Sequence, residues 1–130
     1  MLEALSTETI ENIFDALPVE VSFVDDADAV RYYSKGDQRI FRRTPAVIGL
    51  KVQKCHPQKS LYKVEQVVSD LKSGKRDVAE FWIDLKGRKI YIRYFAVRDK
   101  TGRYIGTLEV TQDITDLQKI TGEKRLLDEG

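Results

Sequence analysis

Cysteine, histidine, methionine and tryptophan each occur once in this 130-residue chain, and proline only three times. A lone cysteine excludes an internal disulfide and a multi-cysteine zinc site, and a lone histidine would leave any metal centre dependent on carboxylates. Long apolar runs are missing too, so no segment reaches the roughly 20 residues that cross a bilayer as a helix. The opening MLEALSTETI has neither a basic start nor a continuous apolar stretch; no export signal is read from it, and a cytoplasmic setting and no membrane partner are expected. An excess of one charge sign is also lacking: 22 Lys and Arg against 21 Asp and Glu give a formal net charge of +1. The basic pairs Arg42-Arg43 and Lys75-Arg76 are not interleaved with aromatics as a stacking platform requires, so they read as solvated surface and no nucleic-acid partner is expected.

What is present is a globular composition, 42% apolar and 33% charged, in a length suited to one hydrophobic core. In STETIENIFDALP a hydroxyl cap and acidic first turn precede Ile10, Ile13, Phe14 and Leu17 at helical spacing, and Pro18 ends the helix. VEVSFVDD and AVRYYS read as two strands joined by the acidic turn Asp25-Asp26-Ala27-Asp28. Residues 35–54 have poor periodicity and are assigned to short helices and loops. A longer helix begins near Pro57, with Leu61, Val64, Val68 and Leu71 as its apolar stripe, Val67 widening it and Gly74 beyond its end. The period then changes to alternation: VAEFWIDL, KIYIRYFAVRD and RYIGTLEVTQDI, separated by KGR and DKTG, form an antiparallel meander. Finally, Thr115 and Gln118 match a capping box, so an exit helix is expected over 115–130, with Leu117, Ile120 and Leu127 available to a coiled-coil seam. A helix starting so near the chain's end suits continuation into a further segment. The expected fold class is α+β, a five-stranded antiparallel sheet with short connecting helices, one long helix, and helices flanking it at both ends. The expected boundaries are 1–18 for the first flanking helix, 19–114 for the core and 115–130 for the exit helix.

That order of elements resembles a PAS domain over nearly the whole chain. LPVEVSFVDDADAVRYYS looks like the PAS opening, and GTLEVTQDIT looks like its ending, in which Asp113-Ile114-Thr115 links the last strand to a signalling helix. More narrowly, YYSKGDQRIF, KCHPQKS and the segment from Glu80 to Thr115 resemble a bacterial and archaeal PAS subfamily found alongside hemerythrin-like and uncharacterised domains. The resemblance implies a sensory or regulatory module and not an enzyme, with a sheet curved around a small pocket. Fold does not settle the ligand, since PAS relatives bind haem, flavin, small organic acids, other metabolites or nothing known.

A pocket in this architecture is expected between the sheet and the long helix, lined by Ile92, Tyr94, Leu108, Val110 and Gln112 from the strands and by Val64 and Val68 from the helix. A buried Gln112 or Tyr94 must satisfy its polar atoms through a ligand or an internal network. Gly106 either opens space or marks a bulge or close packing by an aromatic such as Trp82. Cys55 and His56, adjacent in KCHP, stand at the entry of the long helix. There Pro57 suits a first helical turn, and either neighbour would suffice as a single axial haem ligand. Haem-binding relatives carry that histidine on the long helix itself, and the flavin-photosensor signature is not met at Cys55, so haem and, behind it, flavin stay open as cofactors. Three functions compete. The first is a ligand-coupled PAS sensor; the second is a structural dimerisation domain paired with a second copy or another domain through Tyr91, Phe95, Val97 and Ile105 with Leu2, Leu5, Ile10 and Phe14. The third is thiol chemistry at Cys55.

Overall fold

The structure, a computed structural model, describes residues 1–36, 38–51 and 61–128. Helix α1 (Thr7–Ala16) is followed by strands β1 (Glu20–Asp25) and β2 (Val30–Tyr33), helix α2 (Leu61–Ser73), and the meander β3 (Val78–Leu85), β4 (Arg88–Arg98) and β5 (Tyr104–Asp113). All pairings are antiparallel, in the order β2-β1-β5-β4-β3, so the first and last strands of the chain meet at the centre of the sheet. The expected α+β, PAS-like architecture is the observed one.

Local chemistry accounts for the ends of these elements. Ser6 caps α1 by accepting the Thr9 N–H at 3.0 Å. Lys86 and Gly87 both take positive φ, 51° and 79°, which makes the two-residue turn whose twist matches a β-hairpin, and glycine carries the second position without strain. Among the described residues of the irregular stretch after β2, the 3-10 turn Pro45–Val47 forms.

The sheet has two unlike faces. Toward α2, Val24 and Val30 pack with Val64, Val68 and Val47. On the opposite, outer face, α1 rests Phe14 against Tyr32 at 5.7 Å, while the Asp15 side chain accepts the Lys35 N–H at 2.8 Å. The N-terminal helix thus covers the β1–β2 end of that face, whereas Trp82, at the β3–β4 end, remains 61% exposed beside Tyr91. Gly106 lies on this outer face under the Phe23 ring. A Cβ there would come within 2.4 Å of both the ring and the Val24 carbonyl, so close packing explains the glycine, and its aromatic neighbour is Phe23.

The exit helix expected over 115–130 does not form among the described residues, where a single 3-10 turn, Leu117–Lys119, follows β5. The reason is visible at its intended cap. The Thr115 hydroxyl accepts the Lys89 N–H at 2.8 Å and donates to Asp113 at 2.6 Å, so it closes a junction with β4 and does not cap a new helix. Leu117, Ile120, Leu126 and Leu127 are exposed, so the expected seam packs against nothing among the described residues.

Candidate functional site

Cross-strand partners share a face, so the register assigns every strand residue to one side of the sheet. Ile90, Ile92 and Tyr94 stand opposite Asp113, Thr111 and Glu109, and Ala96 opposite Thr107. On the far side of β5, Thr111, Glu109 and Thr107 face Glu20, Ser22 and Val24 of β1. Ala79, Phe81 and Ile83 of β3 complete this inner face through their pairing with Tyr94, Ile92 and Ile90.

The expected pocket lining is therefore divided. Ile92, Tyr94, Val64 and Val68 belong to the α2 side, but Leu108, Val110 and Gln112 pair with Phe95, Arg93 and Tyr91 on the outer face. A bulge causes the exchange. Next to the turn, Arg98 pairs with Tyr104; continued without interruption, that register would place Tyr94 opposite Leu108 and Ile92 opposite Val110, as expected from alternation. The register instead shifts between Val97 and Arg98, leaving Ile105 as the extra residue, and a one-residue slip turns every later side chain of β5 over. Thr107, Glu109 and Thr111, all buried, thereby take the inner face in place of Leu108, Val110 and Gln112.

The polar groups on this face fall into two sets. In the first, Arg39 and Glu20 form an ion pair at 3.0 Å, with side chains only 1% and 2% exposed. Arg39 donates four hydrogen bonds beside its ion pair: Nε to the Phe41 carbonyl, one terminal nitrogen to the Val21 and Ser34 carbonyls, and the other, which also faces Glu20, to Ser22 Oγ. Glu20 also accepts the Ile40 N–H at 2.6 Å and the Phe41 N–H at 3.4 Å. This set is saturated and ties the irregular segment after β2 to the sheet. Burial pushes the Arg39 pKa down, and the charge of Glu20 opposes that push.

The second set is not saturated. Thr111 is 1% exposed, and its Oγ1 has no hydrogen-bond partner among the described residues. Glu109, 7% exposed, accepts no hydrogen bond from any described residue. Tyr94, directly opposite Glu109, stacks on Phe81 with ring centroids 6.0 Å apart; burial raises its hydroxyl pKa, the Glu109 charge adds to the rise, and Arg43 opposes it. Hydroxyl, carboxylate and hydroxyl thus line up across β4 and β5 with hydrogen-bonding capacity unspent.

At its end, β5 delivers Asp113, Ile114 and Thr115 into a latch. Arg88 Nε donates to Asp113 at 2.7 Å, the Thr115 N–H and hydroxyl bond the other Asp113 oxygen, and the Ile114 N–H bonds the Lys89 carbonyl at 2.9 Å. Arg88 and Thr115 hold the Asp113 carboxyl at about 2, below its usual 3.8. Because the folded value is depressed, the latch contributes fully above the ordinary carboxylate range and is lost as pH falls through about 2. A carboxyl-carbon NMR titration is expected to place the Asp113 midpoint near 2, rising toward 3.8 in an Arg88→Gln variant.

Cys55 and His56 lie outside the described residues, and among the described residues no group of His, Cys, Asp and Glu is placed to hold a metal. Open surface hollows lie beside α1, with Asp15, Tyr32 and Lys35, and beside α2, with Asp28, Val68 and Lys72; neither of these reaches Tyr94 or Glu109.

A family model described as PAS domain matches residues 10–115. This chain belongs to the PAS domain family. Its fold is also that of solved relatives. A C-terminal domain from Streptococcus mutans is 37% identical, with a TM-score of 0.83 and coverage of 90% of this chain and 91% of that one. The PAS domain from Bordetella pertussis BvgS is 17% identical, with a TM-score of 0.64 and coverage of 86% and 90%; a sensory box sensor histidine kinase from Vibrio cholerae is 11% identical, with a TM-score of 0.60 and coverage of 87% and 94%. No curated protein matches. PAS domains are typically sensory or regulatory modules without catalytic activity of their own, and in this PAS domain no described helix is long and apolar enough to cross a membrane.

Sequence reasoning missed Glu109, Thr111, Glu20 and Arg39. The available signal was the polar alternation Thr107, Glu109, Thr111 along β5, which hydrophobicity alone assigned to the wrong side.

Proposed function

We propose that this PAS domain is a sensory module that takes up a small molecule between the inner sheet face and α2 and passes its occupancy to the chain leaving β5. The carrying observation is the buried, unspent pair Thr111 and Glu109 beside Tyr94. Burying the Thr111 hydroxyl without a partner is costly, and the adjacent Arg39–Glu20 set gives no hydrogen bond to it or to Glu109. A ligand that satisfied these groups would be held by β5 itself. Glu109, Thr111 and Asp113 alternate along the same strand face, with Asp113 roughly 14 Å from Glu109 at the usual strand rise. Binding that shifts β5 by a fraction of an ångström changes how Arg88 and Lys89 grip Asp113 and Thr115, which supplies a contact difference between two states of the exit chain.

The test is a native mass spectrum and an absorbance spectrum of freshly purified protein. A retained molecule, released on unfolding, is expected, and the absorbance reads haem or flavin directly. A bare chain whose melting temperature no small-metabolite extract raises would count against the proposal. The exposed Trp82 beside Tyr91 supports a second reading, self-association or docking of another domain through the outer face. Sedimentation as a monomer at high concentration would weigh against self-association.

A further inference from the structure

The ligand's chemistry follows from which groups are already spent. This inference rests on the small-molecule reading above and narrows it: we infer that the inner face selects a compound presenting a positively charged nitrogen, an amidinium, guanidinium or ammonium group, to Glu109, with Tyr94 and Thr111 as flanking hydroxyls.

Glu109, Glu20, Arg39, Arg43, Tyr33 and Tyr94 are the ionisable groups that act on one another here. Glu20 and Arg39 form their own ion pair, and Arg39, although it feels the Glu109 charge through space, donates its hydrogen bonds elsewhere. Arg43 is half-buried and donates to the neighbouring Arg42 carbonyl at 3.2 Å, so solvent screens its charge more than it screens Glu109. What remains is the Glu109 carboxylate, in a residue only 7% exposed and with no hydrogen bond from any described residue, which accepts hydrogen bonds and donates none. An anionic ligand would meet it with like charge in a low-dielectric setting; a cationic nitrogen would give it charge-assisted hydrogen bonds, the stronger kind. The two hydroxyls donate or accept as required, and the Phe81–Tyr94 stack offers a flat aromatic wall.

Three probes of matched shape separate the possibilities: benzamidine, which is cationic near neutral pH, benzamide and benzoate. Calorimetric titration of the intact chain is expected to rank them in that order, with benzamidine at least about tenfold tighter than benzoate. Glu109→Gln should erase the preference, leaving benzamide as good as benzamidine, whereas Glu80→Gln on the outer face should retain it. Thr111→Val, which removes an unpartnered hydroxyl at constant shape, should weaken all three probes without lowering the melting temperature, and it keeps the test open should Glu109→Gln fold poorly. Benzoate binding as tightly as benzamidine, or a preference unchanged in Glu109→Gln, overturns the charge assignment while leaving a ligand site in place. Binding of none of the three overturns the small-molecule reading itself.

Discussion

Arg39→Met is expected to cost about 4 kcal/mol of folding stability, measured by urea denaturation, because removing one partner of a buried ion pair leaves the other charged and undercompensated. The magnitude rests on the completeness of the network. With methionine in place, Glu20 keeps the Ile40 and Phe41 N–H groups but loses its counter-charge, and the Val21, Ser34 and Phe41 carbonyls lose donors in a site closed to water. Adding Glu20→Gln to that variant should recover part of the loss. The amide removes the stranded charge and can still accept the Ile40 N–H, so the double variant is expected to lose less than the sum of the singles. Strict additivity would mean that the two side chains act independently, contrary to the geometry.

Leu71→Ala is the second large effect, about 3 kcal/mol, within the range for emptying a fully buried leucine site. Leu71 is 0% exposed, and its surroundings are fastened by neighbours that cannot easily collapse inward. Its carbonyl accepts from Arg98 at 2.7 Å, and Asp70 is held by Arg76 at 3.1 Å and by Gln66 at 2.9 Å. The cavity is therefore expected to persist. Because α2 is the lid of the inner face, the same variant should also bind benzamidine more weakly, whereas Ile13→Ala on the exposed side of α1 should change stability by less than roughly 0.5 kcal/mol.

The elements themselves were legible from periodicity and punctuation. Ile10, Ile13, Phe14 and Leu17 marked α1, the valine stripe marked α2, and the turn residues near Gly87 and Gly102 separated the meander strands. The faces were harder to read. Alternation tells which residues of a strand go together but not which side they take when both sides of the sheet are covered, and here α1 and α2 cover opposite sides. A single bulged residue, Ile105, then decided whether Glu109 or Val110 faces α2, and no local composition marks it. The Arg39–Glu20 pair was hidden for a different reason: its partners lie 19 positions apart and one sits in an irregular segment, so only tertiary structure joins them. At the chain's end, the Thr115–Gln118 pattern fitted a capping box, but the same hydroxyl had a better use in closing the Asp113 junction.

The central claim is that the α2-facing side of the sheet, and not its aromatic outer side, is where this PAS domain meets its ligand. Methyl-resolved NMR decides it most directly, recorded as the molecule retained on purification is stripped and returned. Shifts concentrated at Ile90, Ile92, Ala79 and Val68, with Leu108 and Val110 nearly still, are the predicted result. Shifts concentrated at Leu108 and Val110, with Ile90 and Ile92 unmoved, would contradict it.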